Sequence, residues 1–348
     1  MTTPPKKRIA YIDAMRGFTM LLVVYHHVIL YGYEADHLSS DIASFNEVFL
    51  KFRMPLFFFI SGWVLYKGSR VWDKKTSLSF LANKFKVQII STAIILMIYQ
   101  YLFQPSMERT LGTYKSGYWF TYTLFFFFVF YVLSARMARF FKNHWGEDLT
   151  VIVITLIVVL AAQFVRYDMN MIHIRYYGYI GVYNWNYYFF FCFGTLVRKY
   201  SKSFVKMTDK GWVMAAVISV FFLLMAYETR HELAHFRTPS FFVYGFLGIV
   251  IVYTLFRKSE GWFAEDHRIS RWMQYIGRHT LDIYLLHYFF LPRRLQFVGD
   301  FFKANPNPTI ELFVSMTLAL MVVAVCLITS KVICTSPTLG NLLFGKKK

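Results

Sequence analysis

The chain is short of charge, of cysteine and of connecting loop. Only 16% of its 348 residues are charged, against 57% hydrophobic and 21% aromatic, and a soluble domain rarely carries 39 Phe and 25 Tyr. Three cysteines, Cys192, Cys326 and Cys334, all fall within or at the end of apolar runs. They offer no disulfide framework and no CxxC metal spacing. No connection between apolar runs exceeds about twenty residues, which leaves no room for a second, water-facing domain. The expectation is one membrane-embedded domain over residues 1–348. Internal repeats and low-complexity segments are lacking too. The N-terminal "MTTPPKKRIA" is followed by an apolar run without a small-residue cleavage pattern, which reads as a retained first helix.

What the sequence has instead is long apolar runs. Ten candidate spans lie near 11–31, 45–66, 86–103, 118–135, 149–165, 178–197, 212–227, 240–256, 275–291 and 310–334. Each is close to the length needed to cross a bilayer core. The formal net charge of +19 invites a nucleic-acid reading. Its distribution argues otherwise. Alternate connecting segments hold 24 Lys and Arg on one side and 9 on the other, a bias that runs through the whole chain. Lys and Arg collect in cytoplasmic loops, so the expected topology is an all-α bundle of about ten transmembrane helices with both termini cytoplasmic. The expected partner is the lipid bilayer, not nucleic acid.

The first span, "YIDAMRGFTMLLVVYHHVIL", is apolar yet carries Asp13, Arg16, His26 and His27. Each residue of a helix advances 100°, so Arg16 and His27, eleven apart, share a face at about 17 Å separation. His26 lies about 80° away from that face. Asp13, three residues before Arg16, is placed to pair with it across one turn. Arg16 alone fits a snorkelling interfacial cation equally well. His27 sits too deep for that, so it serves either an interhelical hydrogen bond or chemistry.

Arg16, ten intervening residues and then His27 resemble the first-helix hallmark of the acyltransferase 3 family, membrane-bound bacterial O-acyltransferases, with Asp13 also in the usual place. Further segments are similar to that family in the same order. They are "FRMPLFFFISGWVL" at 52–65, "YWFTYTLFF" at 118–126, "YYFFFCFGTLVRKY" at 187–200 and "GRHTLDIYLLHYFFL" at 277–291. There are departures. "LANKFKVQII" lacks the proline that often ends this stretch, and Arg53 stands where relatives often have His. The hydrolase-like extra domain of some members has no counterpart here.

The resemblance implies a multi-pass enzyme of the bacterial inner membrane. It would move an acyl group, in the first place acetyl, from cytoplasmic acyl-CoA to a hydroxyl of a glycan or glycolipid. No bound cofactor and no metal are implied; acetyl-CoA is a donor substrate. Such transfer needs a base with pKa near 7, donors for a developing oxyanion and cations for the donor's phosphates. His27 is the expected base, with Asp13 and Arg16 in the catalytic group. Arg16, Lys84 and Lys86 are candidates for the donor, although a solvated charge cluster explains the two lysines as well. Arg53, His287, Tyr284 and Trp119 are candidates for an acceptor or oxyanion pocket. Arg53 fits equally a structural pair with Glu47 or Asp13, and His287 a buried interhelical hydrogen bond. His287 lies in a span running in the same direction as the first, at a comparable depth. Two other functions have some footing. His231, Glu232 and His235 match the HExxH zinc-protease pattern, but in a short loop without a third ligand. Intramembrane Arg and His also line the paths of transporters and flippases, which usually carry repeated halves.

Overall fold

A chain that spans a bilayer must satisfy its backbone hydrogen bonds internally, and long apolar runs therefore fold as helices. A computed structural model describes residues 8–34, 44–106, 110–112, 114–141, 144–167, 180–230, 237–265 and 267–346. Every regular element among them is helical. The longer ones are α1 (Ala10–His27), α2 (Ser44–Leu65), α3 (Lys74–Phe103), α4 (Trp119–Met137), α5 (His144–Tyr167) and α6 (Tyr188–Lys199). Then follow α7 (Ser201–Thr208), α8 (Gly211–Arg230), α9 (Arg237–Lys258), α10 (Glu260–Ala264), α11 (Arg268–Arg278) and α12 (Thr280–Phe290). The last three are α13 (Gln296–Ala304), α14 (Pro308–Ile333) and α15 (Pro337–Phe344).

Among the described residues, eight helices are long and apolar enough to cross a membrane. Eight of the ten expected runs coincide with them. The third extends further than expected, because Lys74–Phe103 is continuous helix where a loop to residue 86 was predicted. Asp73 caps it, accepting the Thr76 N–H at 2.7 Å, and hydrogen bonds from Thr76 hold its carboxyl below the usual range. The other two expected runs are interrupted. Around 178–197 a 3-10 turn over Val182–Tyr187 leads into α6, which has 12 residues. Around 275–291 the helix breaks at His279 (φ −110°, ψ 21°), whose Nδ1 donates to the Tyr275 carbonyl at 2.9 Å. That side chain replaces the backbone donor a continuing helix would supply.

The chain forms two compact units, Met1–Ile60 with Tyr200–Thr329 and Ser61–Lys199 with Ser330–Lys348. In the second unit, α2 meets α6 where Gly62 lies against the Phe191 carbonyl, and Arg198 stacks over Trp63 at 4.1 Å. Lys199 binds Asp148 at 2.6 Å and Glu147 at 2.9 Å. Burial presses its ammonium toward neutrality, but the two carboxylates win and hold its pKa above the ordinary lysine value. Lys86 Nζ reaches Asn341 at 3.2 Å and Ser91 Oγ donates to the Leu342 carbonyl at 2.9 Å, docking α15 on α3.

In the first unit, α1 and α11 cross at two glycines. A Cβ at Gly277 would lie 1.7 Å from the Asp13 carbonyl oxygen, and one at Gly17 would lie 2.1 Å from that of Met273. Small residues let membrane helices approach closely, where packing replaces the hydrophobic effect as the attraction. α14 is tied in by polar contacts. The Tyr25 hydroxyl donates to buried Glu311 at 3.0 Å, Ser315 donates to the same carboxylate at 2.6 Å, and Tyr33 reaches Ser315 at 2.7 Å. Further along, the Leu295 N–H donates to the Gly32 carbonyl at 2.9 Å.

Gly277→Ala should therefore force the two helices apart. Overpacking of this kind costs about 1–3 kcal/mol, read as a lower thermal midpoint of the purified protein in detergent. Gly261→Ala, whose new Cβ meets nothing within 4 Å, should leave the midpoint in place. Equal midpoints for the two variants would contradict the crossing.

Candidate active site

Gly17 and Gly277 touch, and His27 and His287 each lie ten residues further on. At 1.5 Å per residue that is about 15 Å along α1. On the other side the chain passes through the break at His279, and α12 presents His287 at the level of His27. His27 Nδ1 lies 2.9 Å from His287 Nε2, with ring centroids 5.0 Å apart and 16° between the ring planes.

The hydrogen-bond partners decide which nitrogens carry protons. His287 is fully buried, and its Nδ1 faces two backbone carbonyls, Tyr284 at 2.8 Å and Ile283 at 3.1 Å. Carbonyl oxygens only accept, so His287 Nδ1 bears hydrogen and, in the neutral ring, Nε2 is a lone pair. His27 Nδ1–H then donates to it. His27 Nε2 is left as an acceptor, and the Tyr288 hydroxyl reaches it at 3.2 Å. A carbonyl–imidazole–imidazole series thus aims one basic nitrogen away from its own support, the arrangement that a general base requires. His27 ends the α-helical part of its segment, and a π-helical turn, Val28–Gly32, begins directly after it. Such single-turn π segments recur at functional sites. Tyr31, within that turn, stands 5.8 Å from the His27 ring.

Arg16 lies toward the other end of the same face. Its Nη2 donates to Thr280 Oγ1 at 3.2 Å, at the first residue of α12. This differs from the expected pairing across one turn. Among the described residues no Asp13–Arg16 ion pair forms, because Arg16 extends toward Thr280 while Asp13 is one turn lower, at the glycine crossing. Asp13 is buried, with Arg16, Arg8 and Arg278 as its cationic neighbours.

His26 points elsewhere, as the helical phase requires. It is buried, with Nδ1 3.1 Å from Asn46 Oδ1 on α2. Arg53 is buried on α2 in the same unit, beside Phe52, whose side chain packs on Gly248 of α9. Tyr284 contributes its carbonyl to His287, while its ring stands 6.0 Å from the imidazole. Lys84, Lys86 and Trp119 belong to the second unit. Lys84 Nζ sits over the Phe128 ring at 4.6 Å, and Trp119 packs on Tyr187 at 5.6 Å. His231, Glu232 and His235 lie outside the described residues. Among the described residues no cluster of three or more His, Cys, Asp or Glu is placed to hold a metal.

A family model described as an acyltransferase domain matches residues 9–330. The chain belongs to the acyltransferase 3 family. It is therefore a multi-pass membrane acyltransferase, and the match spans both the α1 face and the α11–α12 segment that meets it. No curated protein and no solved structure gives a match. Two residues that hydrogen-bond to the candidate site's side chains are unmarked in the sequence, Tyr288 and Thr280. Tyr288 directly follows His287 and was hidden among 25 tyrosines; Thr280 carries no charge to mark it.

The two adjacent histidines should respond differently to truncation. His26→Ala leaves the buried Asn46 amide without its imidazole partner and should cost about 1–3 kcal/mol in stability, measured by thermal unfolding in detergent. A His26→Ala protein as stable as wild type would remove the structural role assigned to that residue.

Proposed function

We propose that this acyltransferase takes an acyl group, in the first place acetyl, from cytoplasmic acyl-CoA and esterifies a hydroxyl of a glycan or lipid-linked glycan. The observation that carries the chemistry is the 2.9 Å contact from His27 to His287, because it leaves His27 Nε2 as a basic nitrogen on a partly exposed ring. In this reading His27 Nε2 removes the acceptor's proton, the acceptor oxygen attacks the thioester carbonyl and the C–S bond breaks. The proton returns from His27 to the departing thiolate. Arg16, at the other end of the same face with one hydrogen bond to Thr280, supplies positive charge to the donor's phosphates. Asp13 sets the electrostatics of Arg16. Arg53, in the same unit as His27, serves the acceptor side. His287 and Tyr284 act by orienting His27. No resident cofactor takes part.

The Lys and Arg bias supports a cytoplasmic N-terminus, and counting the two interrupted segments as crossings gives about ten with both termini inside. The Arg16 end of α1 then faces the cytoplasm and His27 the outer half. That polarity supports transfer across a bacterial inner membrane, with the donor's flexible arm reaching along the helix face. An HExxH protease or a transporter finds no comparable support, since the family match is to an acyltransferase domain.

Purified protein in nanodiscs should release CoA thiol from acetyl-CoA in the presence of acceptor glycans. His27→Ala should reduce that turnover by about 10²- to 10⁴-fold, the usual contribution of a general base. A fully active His27→Ala protein would sink the assignment.

A further inference from the structure

Tyr288 stands where the acceptor hydroxyl has to go. Its phenol oxygen lies 3.2 Å from His27 Nε2, the nitrogen that the tautomer argument leaves basic. Consecutive residues of α12 therefore hold both nitrogens of one imidazole, His287 at Nδ1 and Tyr288 at Nε2. An acceptor can reach the base in two ways. It displaces the phenol, or it passes its proton through it.

The packing disfavours displacement. Tyr288 is 3% exposed. Its ring lies 4.0 Å from the His287 ring, 5.0 Å from His27 and 5.9 Å, edge on, from Tyr31. Swinging it aside would break three ring contacts in a close-packed interior. The phenol oxygen, by contrast, donates one hydrogen and has lone pairs to accept another. It can take a proton from the acceptor while giving its own to His27, with no ring movement.

We propose that Tyr288 is a catalytic residue that relays the acceptor's proton to His27. The inference rests on His27 being the base, as proposed above. The acceptor O–H proton passes to the Tyr288 oxygen as the Tyr288 proton passes to His27 Nε2. The acceptor oxygen forms its bond to the acyl carbon, and the C–S bond breaks to give CoA thiolate. The reverse shift, from His27 Nε2 through the Tyr288 oxygen, returns one proton to that thiolate. Tyrosine ends the cycle as it began, and no oxidant or further reactant is needed.

The test uses the full chain in nanodiscs, with acetyl-, propionyl- and succinyl-CoA as donors, water and glycerol as probe acceptors, and CoA thiol release as the readout. Tyr288→Phe keeps the ring and removes the relay. It should lower kcat by at least about tenfold, leave KM for the donor within twofold and leave the thermal midpoint unchanged. In wild type the dependence of rate on the D2O fraction should be curved, reporting two protons in flight, and it should become linear in Tyr288→Phe. Fluorotyrosine at 288 preserves the fold, and its rate should track phenol acidity. Tyr288→Phe with wild-type kcat, or a fluorotyrosine protein with an unchanged rate, overturns the relay while leaving His27 as base. A fully active His27→Ala protein, or a wild type that consumes none of the three donors, overturns the underlying reading instead.

Discussion

The contact between Gly17 and Gly277 is the constraint from which the rest of the site follows. Two backbones that close leave no freedom in how α1 and α11 are registered, since a slide of one residue would drive a side chain into a carbonyl. With the crossing held, α1 carries His27 to the level at which α12, beyond the break at His279, presents His287, and Arg16 meets Thr280. A soluble enzyme can anchor such a register by burying large apolar surfaces. Here close backbone approach at two glycines sets it.

Several buried polar groups in this unit are paired with other protein groups. His287 turns its Nδ1 onto the carbonyls of its own helix, and His26 turns to Asn46. Glu311 gathers Tyr25 and Ser315. The break at His279 belongs to the same economy of hydrogen bonds, because its side chain satisfies the Tyr275 carbonyl where the helix stops. The interruption also makes α12 a short helix with its own direction, and so allows His287 and Tyr288 both to face His27.

Much of this was legible in the order of residues. Eight long helices, the shared face of Arg16 and His27, and the exclusion of His26 from it all follow from hydropathy and 100° per residue. The depth of His287 relative to His27 followed from counting spans. The two interrupted segments were not legible, because apolar content alone does not reveal where a side chain will replace a backbone donor. Nor was the failure of Asp13 to pair with Arg16. Spacing permits that pair, but Thr280, 264 residues away in sequence, is the closer hydrogen-bond partner. Tyr288 is a related case: a tyrosine among many becomes distinctive only when its hydroxyl meets a nitrogen from another helix.

By itself, then, the sequence determined a helical membrane protein, its family, and one helix face bearing a cation and an imidazole. These depend on properties local to a segment: composition, period and spacing. Tertiary structure alone decided which nitrogen of His27 is basic. That depends on a proton placed by two carbonyls of another helix, passed on through His287, and on a glycine crossing ten residues away that sets the distance. Hydrogen-bond direction is a property of pairs of atoms, and the chain brings those pairs together only when it folds.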